Sequence, residues 1–319
     1  MAWLSLTQLA PYHYDATRLL APRETEHWRR RPRTLNLLPG KPSRTAQTVA
    51  FNRALGTLSP QVPGFSDALA VEFLPEKLRR RVAAARASLA ANPGGSPYPA
   101  WLRGMGIFNQ FRTVIFDRAI ASALPFGQLV ILGAGLDTRA WRLDGLQDTV
   151  VFEVDHPVTQ MWKRQRAASI AHKAREVRFV ATDFRQNALA PSLQNAGHDK
   201  AKPTFWLWEG VTMYLTQDAV SANLETFASL SAPGSHLALT YLKKDDGRVP
   251  RSLILALLGE PVRSAYSPPE LAALAKTRGW QKTSDSGIED WLQEMTPGLN
   301  LTRRQVGLQW LESIWIGRY

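Results

Sequence analysis

From about residue 110 onward, short apolar runs alternate along the chain with longer segments of helical periodicity. Continuous apolar strands separated by helices are typical of a parallel sheet that is covered on both faces. The pattern therefore predicts an α/β fold with a doubly wound, Rossmann-like sheet. The predicted strands are QLVILG (128–133), TVVFEVD (149–155), VRFVATD (177–183), TFWLWEG (204–210) and SHLALTYL (235–242), with GWQKTSD (279–285) and QWLESIWIGRY (309–319) closing the edge of the sheet.

The segments between and before these strands carry apolar residues at the spacing of one helix face. They predict a helical N-terminal cap ahead of the sheet. We divide the chain into a basic N-terminal arm (1–45), a helical cap that contributes to the substrate and cofactor pocket (46–110) and a core (111–319). Helices are predicted over 46–58, 68–91, 100–124, 157–174, 216–231 and 268–279.

Charge and composition restrict the classes of protein to which the chain can belong. Its 39 Lys and Arg against 27 Asp and Glu give a net charge of +12, so we expect an anionic partner: an acidic small molecule, nucleic acid or an acidic protein. The absence of cysteine excludes disulfides and thiolate catalysis, and the 6 histidines lack metal-ligand spacing, so no metal is expected. Without a long apolar run or a secretory signal, the chain is predicted to be cytoplasmic, with no membrane contact.

The candidate ligand-binding residues lie at the ends of the predicted strands, where ligands bind in sheets of this kind. Gly133, Ala134 and Gly135 follow the first strand, and glycine lets a ligand approach the main chain closely. Asp155 ends the second strand about twenty residues later, which is the usual spacing for an acid that binds ribose hydroxyls. Together they predict a ligand that contains adenosine.

The next two strand ends indicate which adenosine-containing ligand this is. Asp183 with Phe184 can bind and contact an adenine ring, and Glu209 ends the fourth strand. Thr138 stands where a dinucleotide site has its third glycine, and Asp137 would put negative charge where a pyrophosphate sits. Both features favour S-adenosylmethionine, which has an ammonium group and no phosphate, over NAD or FAD.

Four motifs in order, together with one upstream helix, resemble a known family. QLVILGAGLDTRAWRL, VVFEVDHPVTQMWKRQ, VATDF and FWLWEGVTMYL, preceded by FRTVIFD (111–117), are similar to the leucine carboxyl methyltransferase superfamily. The resemblance is to its bacterial branch of S-adenosylmethionine-dependent O-methyltransferases, often associated with polyketide or other secondary metabolism. It implies a class I methyltransferase sheet from about Ala46 to the end of the fifth strand.

The resemblance also implies a role for each residue that matches a family motif. Arg112 matches the arginine that pairs with the methionine carboxylate, and the loop of Gly133, Ala134 and Gly135 matches the one that passes under the cofactor. The remaining matches are Asp155 for the ribose, Asp183 and Phe184 for the adenine, and Glu209 for the amino-acid end. Asp137, Thr138 and Arg139 are expected to be structural, through helix capping and salt bridges around the first helical turn.

The predicted reaction is methyl transfer to a carboxylate or hydroxyl of a small, acidic metabolite. A carboxylate nucleophile needs no base, whereas a hydroxyl usually does. The candidate bases at the carboxyl edge are His156, Tyr214 and Tyr241, of which we name Tyr214 as the candidate catalytic residue.

Three alternatives stay open at this point. The acceptor can be a protein C-terminal carboxylate or a modified tRNA base, as in a eukaryotic branch of the superfamily, with the Arg-rich arm as docking surface. Such binding would weaken steeply with salt. A nucleotide-dependent oxidoreductase is disfavoured by Asp137 and Thr138, and a non-catalytic scaffold is disfavoured by the intact motifs.

Overall fold

Seven strands form a single sheet in the computed structural model, which describes residues 43–182, 189–250 and 261–319. Their order is β3-β2-β1-β4-β5-β7-β6; β1 to β5 are parallel, and β7 is antiparallel to both of its neighbours. The predicted α/β sheet and its closing strand pair are confirmed. The strands are β1 Gln128–Leu132, β2 Val150–Asp155, β3 Glu176–Ala181, β4 Thr204–Trp208, β5 His236–Leu242, β6 Gln281–Gly287 and β7 Glu312–Arg318.

Helices precede the sheet and connect its strands. Two of them are much shorter than the periodicity predicts. The helix predicted over 68–91 begins only at Glu76, because a residue that precedes a proline, here Leu74 before Pro75, is biased away from helical backbone. The helix predicted over 157–174 ends at Ala167. The described helices are α1 Arg44–Leu58, α2 Glu76–Ala91, α3 Arg103–Ala123, α4 Arg139–Arg142, α5 Pro157–Ala167, α6 Leu189–Asn195, α7 Gln217–Ser229, α8 Pro268–Lys276, α9 Ile288–Met295 and α10 Arg303–Val306.

The two faces of the sheet bury separate apolar cores, because successive side chains of a strand point to opposite faces. In β1, Leu129 and Ile131 pack towards α1 and α3, whereas Val130 and Leu132 pack towards α6, α7 and α8. Burial on both faces explains why the parallel strands read as continuous apolar runs rather than as alternating ones.

The strand order brings a crevice to one place on the sheet. The chain runs outward from β1 through β2 to β3, then returns to pair β4 with the other side of β1. Ligands bind beyond the carboxyl ends of the strands at such a switch point. Because β7 runs antiparallel to β5, with Leu242 opposite Glu312, the first residue of β7 lies at the same edge as the last residue of β5.

Helix α1 covers the loop that follows β1. Ser43 caps the helix by accepting a hydrogen bond from the Ala46 amide, and the Ser43 amide donates to the Thr159 hydroxyl of α5. A Cβ atom added to Gly135 would lie 3.1 Å from the Ala46 Cβ, so the helix and the loop are in close contact. The division at residues 45 and 110 stays a prediction, and residues 1–42 of the arm lie outside the described residues.

Candidate functional site

The loop after β1 has a backbone that requires glycine at two positions. Gly133 and Gly135 have φ angles of 66° and 49°, in the left-handed region that favours glycine. A Cβ at Gly133 would lie only 2.5 Å from Val211 Cγ2. Between them, the Ala134 amide donates to the Val154 carbonyl at 3.0 Å, which holds the loop against the end of β2.

Asp155 joins the ends of the first two strands. Its carboxylate accepts hydrogen bonds from the amides of Gly135 and His156, the latter at 2.5 Å. Burial raises the pKa of Asp155 although the two amides act to lower it. An acceptor carboxylate therefore stands beside the glycine loop, as the prediction of a ribose-binding acid requires.

Glu153 and Lys163 form a buried ion pair behind Asp155. The Lys163 ammonium lies 2.5 Å from Glu153 Oε2, and both side chains are only 1% exposed. Lys163 also lies 5.1 Å from the ring centroid of Trp141. Burial raises the pKa of Glu153 to about 7, against the attraction of the ammonium.

Arg112 lies on α3, buried between two carboxylates. Its Nε atom is 2.8 Å from Glu209 Oε1, and its Nη1 atom is 2.9 Å from Glu312 Oε1. Burial alone would lower the pKa of Arg112, but the Glu312 and Glu209 carboxylates raise it above its ordinary value. The structure thus brings together Arg112 and Glu209, both assigned to the amino-acid end of the cofactor by the resemblance.

Arg139 is a completely enclosed charge in this part of the molecule. Its guanidinium is fully buried and pairs with Asp117, Asp137 and Glu209. Glu209 consequently lies between Arg139 and Arg112; these arginines lower its pKa although burial acts to raise it. One carboxylate at the end of β4 is thereby held in place by helices on two sides.

These charges belong to a larger cluster, which we call the arginine network. Arg53 of α1 binds Asp67 and donates to the Leu136 carbonyl at 2.6 Å, fastening the cap to the glycine loop. The cluster has one more carboxylate than guanidinium. Its members are Arg53, Arg112, Arg139, Arg142, Asp67, Asp117, Asp137, Glu209 and Glu312.

The structure corrects one argument drawn from the sequence. Asp137 was expected to repel a pyrophosphate, but its carboxylate is buried, pairs with Arg139 and accepts the Arg139 amide at 2.7 Å. Thr138 donates its hydroxyl to Asp67 instead of facing a ligand. Because their polar groups have partners inside the protein, these two residues do not by themselves argue against a dinucleotide.

The three candidate bases differ in their surroundings. His156 is the N-cap of α5, and its Nδ1 accepts from the Val158 amide at 3.3 Å. Tyr241 is buried, and its hydroxyl donates to Asp285 at 3.0 Å. Tyr214 is half-buried in the turn after β4, close enough to Arg112 to affect its pKa.

Two predicted site residues lie outside the described part of the chain, and one residue of the site was missed. Asp183 and Phe184 fall within residues 183–188. Arg139 was predicted to be structural and forms the expected salt bridges, whereas Glu312 was not among the predicted residues. Glu312 is the first residue of a strand, so a search confined to strand ends passes over it; treating the last apolar run as antiparallel would have found it.

Metal ligands and membrane spans were sought in the same ranges. Within residues 43–182, 189–250 and 261–319, no group of three or more His, Asp or Glu side chains is arranged to hold a metal ion. None of the helices described there is both long and apolar enough to cross a membrane.

Residues 46–228 match the family model described as leucine carboxyl methyltransferase. A protein from Streptomyces coelicolor, named as an S-adenosyl-L-methionine-dependent methyltransferase, is 36% identical over 254 residues, covering 74% of this chain and 80% of its own. A protein of the same name from Mycolicibacterium gilvum is 36% identical over 244 residues, covering 73% and 76%.

Solved structures share the fold at low sequence identity. A methyltransferase from Thermobifida fusca matches with a TM-score of 0.50 and 17% identity, covering 88% of this chain and 96% of its own. A DUF574 family protein from Streptomyces avermitilis matches with a TM-score of 0.51 and 13% identity, covering 87% and 97%. These likenesses concern the fold alone.

Proposed function

The chain belongs to the leucine carboxyl methyltransferase family and is an S-adenosylmethionine-dependent methyltransferase, and from this we propose that it methylates a carboxylate or hydroxyl oxygen of a small metabolite. The observation that carries the proposal is the joint position of Asp155, Arg112 and Glu209 at one edge of the sheet, around a glycine loop. These side chains suit the ribose and amino-acid ends of one ligand.

The chemistry of these groups fits S-adenosylmethionine. The cofactor has ribose hydroxyls, which can donate hydrogen bonds to a carboxylate such as that of Asp155. Its amino-acid end has both a carboxylate and an ammonium group. Arg112 and Glu209 offer the two opposite charges 2.8 Å apart. Gly133 and Gly135 supply the left-handed backbone that the loop beside these side chains requires.

The proposed acceptor is an oxygen that is already ionised, and a carboxylate satisfies this best. Bound cofactor supplies a methyl group on a positively charged sulfur, so the chain must hold an oxygen nucleophile about 3 Å from that carbon and exclude water. A hydroxyl acceptor usually needs a base as well. His156 and Tyr241 are engaged in an N-cap and a buried hydrogen bond, and burial raises the pKa of Tyr241 well above its usual range.

Tyr214 stays the proposed catalytic residue, as the candidate base for a hydroxyl acceptor. The acidity of the metabolite, its place in secondary metabolism and a cytoplasmic location stay predictions. So do the adenine-side roles of Asp183 and Phe184, which lie outside the described residues.

The test uses cofactor with a tritiated methyl group and three acceptor pools: a cell extract freed of macromolecules by ultrafiltration, total tRNA, and peptides with free C-termini. The proposal expects label in the first pool. A methyl ester releases volatile methanol in alkali, whereas a methyl ether does not, so the same sample separates carboxylate from hydroxyl acceptors. Label confined to the tRNA or peptide pool would overturn the small-metabolite proposal.

A macromolecular acceptor is the second candidate, and the exposed helix α2 is the observation that favours it. The helix carries Lys77, Arg79, Arg80, Arg81 and Arg86 against one acid, and only Val82 is buried. Such a face attracts polyanions. If tRNA binds through this helix, the logarithm of its binding constant should fall steeply and linearly with the logarithm of the salt concentration. The rate of methyl transfer to a small metabolite would change little with salt.

A further inference from the structure

We propose that Glu312, the first residue of β7, is a positioning residue that fixes the Arg112 guanidinium for the carboxylate of the cofactor. The inference rests on the proposed function, because it takes Arg112 as the contact for that carboxylate. Glu312 touches Arg112 directly at 2.9 Å, and its side chain is only 4% exposed. It would act on the cofactor only through the arginine.

The fold explains how a residue near the end of the chain reaches this site. Strand β7 is antiparallel to β5, and Glu312 lies opposite Leu242 at the carboxyl end of β5. The main chain after β4 also passes there: a Cβ at Gly210 would lie 3.8 Å from Arg112 Nη1. The edge strands thus supply a carboxylate to a crevice that parallel strands otherwise form.

Two carboxylates on different elements determine the orientation of the guanidinium plane. Glu209 binds Nε and Glu312 binds Nη1, so rotation of the group would break at least one of these ion pairs. An arginine has five N–H donors, one on Nε and two on each Nη. The two glutamates leave Nη2 and part of Nη1 for a ligand, and a carboxylate can accept such a pair of donors in bidentate fashion.

The charges favour the same assignment. Burial raises the pKa of Glu312, whereas Arg112 acts to keep it ionised, so the two groups depend on each other. Glu209 has Arg139 as a second partner, but Arg112 is the arginine that Glu312 binds. Removing the Glu312 charge should therefore disturb Arg112 and leave the Glu209–Arg139 pair in place.

The experiment measures calorimetric binding of four thioether ligands by wild type and Glu312→Gln. S-adenosylhomocysteine has both the carboxylate and the ammonium, methylthioadenosine has neither, and two analogues carry only one each. We expect Glu312→Gln to weaken both carboxylate-bearing ligands about tenfold, the cost of a misplaced charged hydrogen bond. The other two should keep their affinity. Glu176→Gln, which removes an exposed glutamate paired with Arg178 on β3, should change none of them.

Each other outcome overturns the proposal in a distinct way. Equal losses for all four ligands would make Glu312 merely structural, and a loss for the ammonium-only ligand would mean that Glu312 binds the ammonium itself. If wild type binds none of the four, the proposed function fails as well. Binding of methylthioadenosine reports whether the Glu312→Gln variant is folded. If that variant does not fold, the same four ligands are measured with Glu312→Asp, which keeps the charge.

An Arg112→Met background provides a second check. Without the guanidinium, the carboxylate-bearing ligands should no longer bind more tightly than the ligands that lack a carboxylate. Adding Glu312→Gln should then weaken their binding no further. A further loss in that background would show that Glu312 acts independently of Arg112, which contradicts a positioning role.

Discussion

The parallel half of the sheet and its antiparallel edge contribute to the site from opposite ends of their strands. In the parallel half, Gly133, Asp155 and Glu209 come at or just after the last residues of β1, β2 and β4. In the antiparallel edge, Glu312 is the first residue of β7. The same crevice therefore collects strand ends from one half and a strand start from the other.

The two halves also use charge differently. The parallel half buries Arg139 with three carboxylates. The antiparallel edge contributes one buried carboxylate, Glu312, and the segments beside it hold partly exposed pairs such as Arg303–Asp245. Removing one partner of a buried ion pair leaves the other charge buried and uncompensated. In an exposed pair, water solvates the charge that remains. We therefore expect the buried pairs, most of which lie on the parallel side, to contribute most to the stability of the site.

The largest expected effect comes from removing Arg139. Arg139→Met would take from Asp137 the arginine with which it pairs and from Asp117 and Glu209 one of two arginine partners each, and we expect it to lower the free energy of unfolding by about 3–5 kcal/mol. Denaturant unfolding measures this. The matched control is Arg303→Met, which removes a partly exposed partner of Asp245 beside the antiparallel edge and should cost less than about 1 kcal/mol. Similar losses in both variants would contradict the contrast.

The next effect is a pH dependence carried by Glu153. The Glu153 carboxyl keeps its proton up to about pH 7 in the native protein, whereas it releases that proton near pH 4.5 in the unfolded chain. Between these two pH values the native state therefore binds more protons than the unfolded state. The free energy of unfolding should therefore fall as the pH rises through this window. Relative to the double variant Glu153→Gln/Lys163→Met, the fall should be about 3 kcal/mol.

Asp285 in the antiparallel edge is the comparison for Glu153. Burial also raises its pKa, but the group is half-buried and accepts a hydrogen bond from Tyr241. Asp285→Asn should consequently flatten the pH profile much less than the Glu153 double variant does. Parallel profiles for wild type and the Glu153 double variant would contradict the prediction.

The parallel half of the fold could be predicted from the sequence because its signals are local. A fully buried strand reads as an apolar run, and the residue that follows it lies at the ligand edge by rule. Gly135 and Asp155 were found in this way, and the structure shows a hydrogen bond between them. Their role toward the cofactor stays a prediction.

The partners of buried charges could not be predicted, because ion pairs depend on distant elements meeting. Arg112 and Glu312 lie 200 residues apart, and neither position has a local pattern that names the other. Asp137 and Arg139 are the local exception: they lie two residues apart, a salt bridge around this turn was predicted, and the structure confirms that the two side chains pair. A helix boundary was misplaced for a local reason, the proline at position 75.

A smaller effect, confined to ligand affinity, is expected at Asp155. Asp155→Asn should weaken S-adenosylhomocysteine and methylthioadenosine alike, by about 1–3 kcal/mol, because both ligands carry the ribose whose hydroxyls lose a charged acceptor. Calorimetry measures this, with the exposed Asp144→Asn, which removes a partner of Lys173, as control. Equal loss for both ligands distinguishes this residue from Glu312, whose expected effect requires the carboxylate. Unchanged affinity would mean that Asp155 does not bind the ribose.

The smallest effect is expected where the antiparallel edge meets the solvent. Arg303 and Asp245 form a 2.6 Å ion pair, but their side chains are 55% and 41% exposed, so water and salt compete for both charges. A double-mutant cycle with Arg303→Met and Asp245→Asn should give a coupling below about 1 kcal/mol that declines further in high salt. The same cycle on Arg53 and Asp67, which are 4% and 0% exposed, should give a larger coupling that salt hardly changes. Equal coupling energies would contradict the energetic difference between the two regions, because burial of an ion pair would then not change its contribution to stability.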